Sequence, residues 1–312
     1  MSIRGFFSTL LHRDPPAMLE KNAVEIDSLQ HTDDRLNFEL ELDRKLVVVD
    51  IGCRWGFAEK FTQGAGYFRV YGFDPDIEEC QRLSRRYEGD AVSIVPLGLA
   101  GTAGKRTLYV TQEPACSSLL MPDPELTENY PALHCARHIS SVEVETVTLD
   151  DWAKDNSVQF IDHIKVDTQG TELEILKGGI NVLKNVRSLE VEVEFNPIYL
   201  GQPIFSDVDS FLRSEGFVLW KLTNQVHYSK SGSTDEPLGD DIICYDGKHR
   251  IQHNIFGGQL YWANAHYVKK NVLDDSENSE AQKLRDIALF QALGMPDVVS
   301  HFQVHTGKAI AK

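Results

Sequence analysis

Two segments combine residue types and spacing from which chemistry can be built. The first is Asp50-Ile51-Gly52-Cys53-Arg54-Trp55-Gly56, followed by Asp74 at the end of the next apolar run. Glycines at 52 and 56 let the backbone turn tightly and approach a ligand closely. A carboxylate that ends a second strand is placed to accept hydrogen bonds from ribose hydroxyls. A dinucleotide fingerprint needs GxGxxG so that a pyrophosphate can rest on helix-terminal amides, and Arg54 stands where its second glycine belongs. The loop therefore suits a nucleoside without phosphates, such as S-adenosylmethionine, better than NAD or FAD; Asp50, Gly52, Cys53, Arg54, Gly56 and Asp74 are the candidate cofactor-binding residues. An ordinary strand-to-helix turn is the competing reading.

The second segment is Ile161-Asp162-His163-Ile164-Lys165-Val166-Asp167-Thr168-Gln169-Gly170-Thr171-Glu172. Ligands of open α/β sheets bind beyond the carboxyl ends of the strands, which makes Asp167 a candidate by position, although a residue there can equally cap the following helix. Glu192 and Glu194 share one face of a strand expected to be central, where an unpaired carboxylate is costly. Either that face opens on a substrate cleft or its carboxylates are paired. For an acceptor that must lose a proton, Asp167 is the first candidate base and Glu194 the second, with Lys165 deeper and His163 a fallback. His134, Cys135 and His138 have metal-ligand character but no fourth partner, so no metal site is expected. Gly101 to Thr107 lacks the first glycine of a phosphate loop and reads as a turn.

These segments need a scaffold, and the chain is long enough to supply one. Its 312 residues are 42% hydrophobic and 25% charged, the profile of an ordinary globular protein. With 31 Lys plus Arg against 47 Asp plus Glu, the net charge is −16, and no basic patch stands out, which disfavours nucleic acid as a partner. The five cysteines are odd in number and scattered without a CxxC pair. They suggest neither a disulfide framework nor a zinc knuckle, and no apolar run approaches the roughly 20 residues that span a bilayer. A cytoplasmic location is the expectation.

Periodicity places the motifs. Leu46 to Asp50 reads as a buried parallel strand, Arg69 to Phe73 as a second, and Ile77 to Tyr87 as a helix. Val92 to Leu99 and Arg106 to Val110 read as a hairpin around Gly101–Lys105, followed by an irregular insertion over 111–141. Further strands are expected at Val142 to Leu149, His163 to Val166 and Leu189 to Phe195, with a helix over Thr171 to Leu183. Ser206 and Asp209 suggest a capped helix stopped by Gly216. Phe217 to Leu222 and Tyr261 to Val268 are the last strands, joined by a polar stretch, and Ser279 with Gln282 opens a final amphipathic helix. The expected organisation is an N-terminal helical extension (1–45), one α/β domain (46–270) and a C-terminal helical extension (271–312).

The ordered motifs VVVDIGCRWG, YGFDPD, VPLGLAGTAGKRTLYV, CSSLL, TVTLDDW, IKVDTQGTELEILKGG and VEVEFNPIYLGQPIFSDVDSFLRSEGF resemble the FkbM family of S-adenosylmethionine-dependent methyltransferases. The resemblance implies a class I methyltransferase fold: a Rossmann-like, mostly parallel seven-stranded sheet with helices on both faces. It also implies methyl transfer to a hydroxyl of a sugar, glycan or other small metabolite. This chain departs from the pattern at Gln169, where an acidic residue is usual, and at Arg54 and Trp55, where the loop is usually less bulky. The alternatives are a noncatalytic module that binds a nucleoside or a partner on the same fold and, more weakly, an NAD-dependent oxidoreductase.

Overall fold

The computed structural model describes residues 40–302 apart from 63–65, 90, 230–231, 234–236, 246–248, 257, 275 and 277. The strands run in the order β1 (Leu46–Ile51), β2 (Phe68–Phe73), β3 (Val92–Val95), β4 (Gly98–Leu99), β5 (Gly104–Thr111), β6 (His138–Val147) and β7 (His163–Val166). They continue with β8 (Ser188–Glu194), β9 (Phe217–Ser229), β10 (Gly232–Ser233), β11 (Pro237–Tyr245), β12 (His249–Phe256) and β13 (Gln259–Lys269). The helices are α1 (Glu59–Thr62), α2 (Ile77–Arg86), α3 (Pro124–Asn129), α4 (Leu149–Asp155), α5 (Glu172–Lys177), α6 (Phe205–Ser214), α7 (Glu280–Ala292) and α8 (Pro296–Val299).

The main sheet has the order β10-β9-β13-β8-β7-β1-β2-β3. Strands β3, β2, β1, β7 and β8 are parallel, and β13 runs antiparallel to both β8 and β9. This is the class I methyltransferase arrangement, with the two-residue β10 added at one edge. Its two faces differ sharply because side chains alternate along a strand. On one face Val49, Ile51, Ile164, Val166, Leu189 and Val191 form the core with Trp152 of α4, Leu176 of α5 and Leu212 of α6. The rings of Tyr71 and Phe73 meet Trp152 edge-on at 5.0 and 4.7 Å. On the other face the register sets Asp50, Lys165, Glu190, His266 and Lys221 in one row across five strands. At the β2 end of that face, Phe57 and the Cys53 thiol lie where a side chain at Gly72 would be.

Several local expectations need correction. The segments around Gly101–Lys105 are not a hairpin: β3 joins the main sheet, while β4 and β5 lie on either side of β6 in a separate small sheet. The 111–141 insertion holds α3, two 3-10 turns and the start of β6. The helix expected over Thr171 to Leu183 ends at Lys177, because Gly178 and Gly179 pack tightly against neighbours. A Cβ on Gly178 would meet the Ala100 carbonyl at 2.9 Å and one on Gly179 would meet Leu149 at 2.8 Å. The Asp150 carboxylate then accepts from the Asn181 and Val182 amides and starts a new 3-10 turn. Helix α6 starts at Phe205, with the Asp207 carboxylate accepting from the Ile204 amide. Ser206 and Asp209 do not cap it; Asp209 instead pairs with Arg213 and accepts from the Tyr267 hydroxyl. The polar connection before Tyr261 contains the β11–β12 hairpin. The N-terminal helical extension lies outside the described residues except for 40–45, which carry no helix.

The Ser279 cap and α7 are present as read, with Ser279 Oγ accepting from the Gln282 amide at 3.2 Å. Helix α7 is anchored below the sheet by a buried ion pair: Arg187, just before β8, donates to both carboxylate oxygens of Asp286 at 2.9 and 2.6 Å. Asn271 and Asn278 take further guanidinium protons. Removing one partner of such a pair leaves the other charge buried. Asp286→Ala is therefore expected to cost about 3–5 kcal/mol in urea unfolding; a loss under about 1 kcal/mol would mean that α7 is not anchored through this pair.

Candidate active site

Asp50, Asp74, Asp167 and Glu194 lie at the carboxyl ends of β1, β2, β7 and β8. Asp50 is the fifth residue of β1 and is 8% exposed. Its Oδ1 is buried without a hydrogen-bond partner, the Lys165 ammonium being 3.7 Å away. Asp74 follows β2 and is 6% exposed; its Oδ1 accepts from the Asp76 amide at 2.8 Å. Burial pushes both carboxyls up to about 6. Two buried carboxylates short of donors at adjacent strand ends fit a ligand rich in hydroxyl and ammonium donors.

The loop between them turns as expected, for a partly different reason. Gly52 and Gly56 have φ of 86° and 90°, a region that side chains other than glycine's avoid. The group that crowds Gly52 belongs to the protein: a Cβ there would come within 1.9 Å of the Asp167 carbonyl oxygen. At Gly56 it would come within 2.5 Å of the Tyr87 hydroxyl. The Gly52 and Cys53 amides both donate to the Phe73 carbonyl, so they are not free to cradle a phosphate. The Cys53 side chain is 2% exposed and turned over β2, where burial pushes its thiol up. Arg54 is folded onto the N-cap of α2, with Nη1 3.0 Å from Asp76 Oδ2. The Cys53 side chain is turned away from the carboxyl edge, and the bulk of Arg54 is spent on Asp76, beside Asp74 at the end of β2. Trp55 remains 58% exposed.

Asp167 follows β7 and does not cap α5. Its Oδ2 accepts from Lys165 at 3.1 Å and its Oδ1 from the Gln169 amide at 3.2 Å. Its side chain is about one third exposed. Against the opposing effect of burial, Lys165 and hydrogen bonds from Glu192 and Gln169 hold its carboxyl below the usual range. The amides after it are gripped by Glu172 instead, which accepts from Thr168 at 2.8 Å and from Gly170 at 2.9 Å. Two of the three glutamates of β8 are paired rather than bare. Glu190 accepts from Asn264 at 3.1 Å, and Glu192 accepts from Gln169 at 2.6 Å. Glu194, 3% exposed, has the Gln202 amide beside it. Burial and neighbouring carboxylates push Glu192 and Glu194 upward, so each tends to hold its proton. Glu192, not Glu194, is the β8 carboxyl joined to Asp167.

His163 begins β7, at the far end from this edge; it bonds Ser188, and burial pushes it down to about 3. It is not available as a base. His138 bonds Ser141, Cys135 is buried, and among the described residues no group of three or more His, Cys, Asp or Glu is arranged to hold a metal. Three contributors were not assigned a role from the sequence. Gln169 was visible only as a departure from the resembling pattern, and Glu192 only through alternation. Tyr199, whose hydroxyl donates toward the Cys116 carbonyl (2.7 Å) and Gln169 Oε1 (3.1 Å), carried no signal.

The Gly52 geometry makes a direct prediction. Gly52→Val forces a β-branched residue into positive φ and against the Asp167 carbonyl, so the fold itself should suffer, by about 2–5 kcal/mol. Thermal unfolding checks this; a variant with the melting temperature of the parent would show that the β1 loop and Asp167 are not in contact.

Known proteins resemble this chain. The model described as Methyltransferase FkbM domain matches residues 49–219. The 2-O-methyltransferase NoeI of Sinorhizobium fredii is 26% identical over 197 residues, covering 57% of this chain and 79% of that protein. The hexuronic acid methyltransferase AglP of Haloferax volcanii is 23% identical over 164 residues, covering 50% of this chain and 62% of its own length. The crystal structure of methyltransferase FkbM from Methylobacillus flagellatus KT aligns with a TM-score of 0.40 at 14% identity, over 74% of this chain and 45% of that one. With the family match spanning more than half its length, the chain belongs to the FkbM methyltransferase family.

Proposed function

We propose that this methyltransferase moves the methyl group of S-adenosylmethionine to a hydroxyl of a sugar, glycan or other small metabolite. The observation that carries the reading is the contact of the β1 loop with Asp167: Gly52 lies against the Asp167 carbonyl, so a ligand held by the loop adjoins the Asp167 carboxylate. The acceptor class is taken from NoeI and AglP, whose names specify 2-O-methylation and a hexuronic acid. Among the described residues no helix is long and apolar enough to cross a membrane, and the acceptor is taken to be a small molecule or glycan rather than nucleic acid. The methyltransferase unit is taken as 46–270, with 1–45 and 271–312 as extensions.

In this reading Asp74 accepts from the ribose hydroxyls and Asp50 Oδ1 from the cofactor ammonium. Gly52 and Gly56 shape the loop, while Cys53 and Arg54 support it by packing over β2 and by fixing Asp76. S-adenosylmethionine, when bound, supplies a methyl carbon already activated by the sulfonium charge. What remains for the protein is to align the incoming hydroxyl and take its proton. Asp167 does this: it stays ionised beside Lys165, is partly exposed, and keeps lone pairs beyond those used by Lys165 and Gln169. Glu194, whose carboxyl is pushed up by burial and by the neighbouring carboxylates, supports the site from behind.

The raised carboxyls give the cofactor a pH dependence of definite sign. A folded-state carboxyl near 6, against an ordinary 3.8, costs stability when ionised, a cost present above about pH 6 and relieved as pH falls toward 4. Ligand donors favour the ionised form, so S-adenosylmethionine affinity should fall as pH drops below about 6. Asp74→Ala should weaken binding at pH 7.5 by about 1.5–3 kcal/mol and flatten this dependence. Calorimetry at pH 7.5 and 5.5 checks both; an unchanged affinity removes Asp74 from the site. The methyl acceptor is sought by incubating cell-extract metabolites with methyl-labelled cofactor. With that acceptor, Asp167→Asn should lower turnover about 100-fold or more while cofactor affinity stays within a few-fold. Full turnover by the variant would mean that the proton leaves by another route.

A further inference from the structure

Gln169 occupies a backbone position that long side chains seldom take. Its φ is 61°, a left-handed conformation that costs roughly 1–2 kcal/mol for an L-residue. The cost is met by Glu172, whose carboxylate grips the Thr168 and Gly170 amides on either side and also accepts from the Thr168 hydroxyl at 3.0 Å. The left-handed turn throws the side chain back across the ends of β7 and β8. There its Nε2 donates to Asp167 Oδ1 at 3.2 Å and to Glu192 Oε2 at 2.6 Å, and its Oε1 accepts from the Tyr199 hydroxyl at 3.1 Å.

A carboxamide offers two N–H donors and one carbonyl acceptor on a single planar group. The site uses that set: the NH2 group lies against the Asp167 and Glu192 carboxyls, and the carbonyl oxygen takes a share of the single Tyr199 proton, whose nearer acceptor is the Cys116 carbonyl at 2.7 Å. The reverse amide orientation would set an oxygen against two carboxyls, so the network fixes which atom is which. A glutamate would bring a third carboxyl against Asp167 and Glu192 and supply at most one donor, and an aliphatic residue would supply none. The charged groups facing Asp167 are Lys165 on its own strand, Asp50 on β1, Glu192 and Glu194 on β8 and Glu172 on α5. Lys165 is the one cation in that set, so the proton that Glu192 directs at Asp167 and the Gln169 carboxamide that touches both together let these carboxyls lie side by side without a second cation.

We propose that Gln169 is a positioning residue that fixes the Asp167 carboxylate by bridging it to Glu192, with Tyr199 as the third point of the bridge. The inference rests on the assignment of Asp167 in the proposed reaction for its importance, and on hydrogen-bond geometry alone for its content. It couples the base to two distant parts of the chain, since Tyr199 also donates toward the Cys116 carbonyl in the insertion after β5.

The test is a carboxyl-carbon NMR titration of the full chain, with 13C-carboxyl aspartate and glutamate and the resonances assigned from Asp167→Asn and Glu192→Gln. In Gln169→Glu the Asp167–Glu192 pair should gain proton affinity by about tenfold or more, a shift of at least about one pH unit. Affinity for S-adenosylhomocysteine, measured by calorimetry, should stay within about threefold, because the cofactor residues are untouched. Tyr199→Phe, which keeps the ring and loses the hydroxyl, should shift the pair in the same direction by less; it serves also if the glutamate variant does not fold. A titration of Asp167 and Glu192 identical to the parent's in a folded Gln169→Glu or in Tyr199→Phe overturns the proposal. The readout needs no acceptor: a shifted titration with full turnover by Asp167→Asn would retire the base and keep the bridge.

Discussion

The ammonium of Lys165 lies 3.1 Å from Asp167 and 3.7 Å from Asp50, and the rest of the polar face of the sheet is arranged around it. Nearby carboxylates and Asp50 hold it firmly protonated against the effect of its burial. A carboxylate at the end of a buried parallel strand is expensive unless a positive charge or several donors meet it. Lys165 meets both Asp50 and Asp167 from β7, and the register continues the polar row outward through Glu190 and His266 to Lys221. His266 continues the pattern as a hydrogen-bonding ring, with Thr223 on Nε2 at 2.8 Å and Glu190 3.9 Å from Nδ1.

This explains why one sheet can be both a core and a floor. The face bearing Val49, Ile51, Ile164, Val166, Val191 and Tyr267 is sealed by α4, α5 and α6. That rigid face fixes the strand ends, and the strand ends fix the carboxylates. The opposite face buries Leu46, Val48, Phe68 and Val70 toward the amino ends of its strands and carries ion pairs toward the carboxyl ends, and a cavity of about 200 Å3 lies there beside Asp50, Lys165, Glu190 and His163. Below the sheet the Arg187–Asp286 pair and the bidentate Arg44–Asp162 pair hold the opposite ends of the strands. Charges are thus concentrated at the two ends of the parallel strands, where backbone groups and water are available to satisfy them.

Much of this was legible in the sequence because it is local. The β-branched run ending at Asp50, the alternation of Leu189 to Phe195, and the Ser279 cap each depend on neighbours within a few residues, and each appears where periodicity puts it. The carboxyl edge was legible too, since strand direction and a terminal carboxylate suffice to place Asp50, Asp74 and Asp167. The failures share a different cause. Gly178 and Gly179 look like ordinary helix interior until the Ala100 carbonyl and Leu149 press on them from elsewhere in the chain. The strands around Gly101–Lys105 alternate like a hairpin, and only competition for partners sends β3 to one sheet and β5 to another. Gln169, Glu192 and Tyr199 form one hydrogen-bonded group from three segments, and no spacing in a single sequence encodes that meeting. Glu194 was preferred over Glu192 because it stands nearer the strand end; side-chain partners, not distance to the end, decide which carboxyl joins Asp167.

The central claim is that the β1 loop with Asp50 and Asp74 holds a nucleoside cofactor whose transferable group adjoins Asp167. A crystal structure of the complex with S-adenosylhomocysteine tests it most directly. The account predicts ribose hydroxyls within hydrogen-bond distance of Asp74, the amino group at Asp50, and the sulfur facing the open side of the Asp167 carboxylate. A nucleoside bound away from the ends of β1 and β2, or a sulfur turned from Asp167 with another side chain in its place, would contradict it.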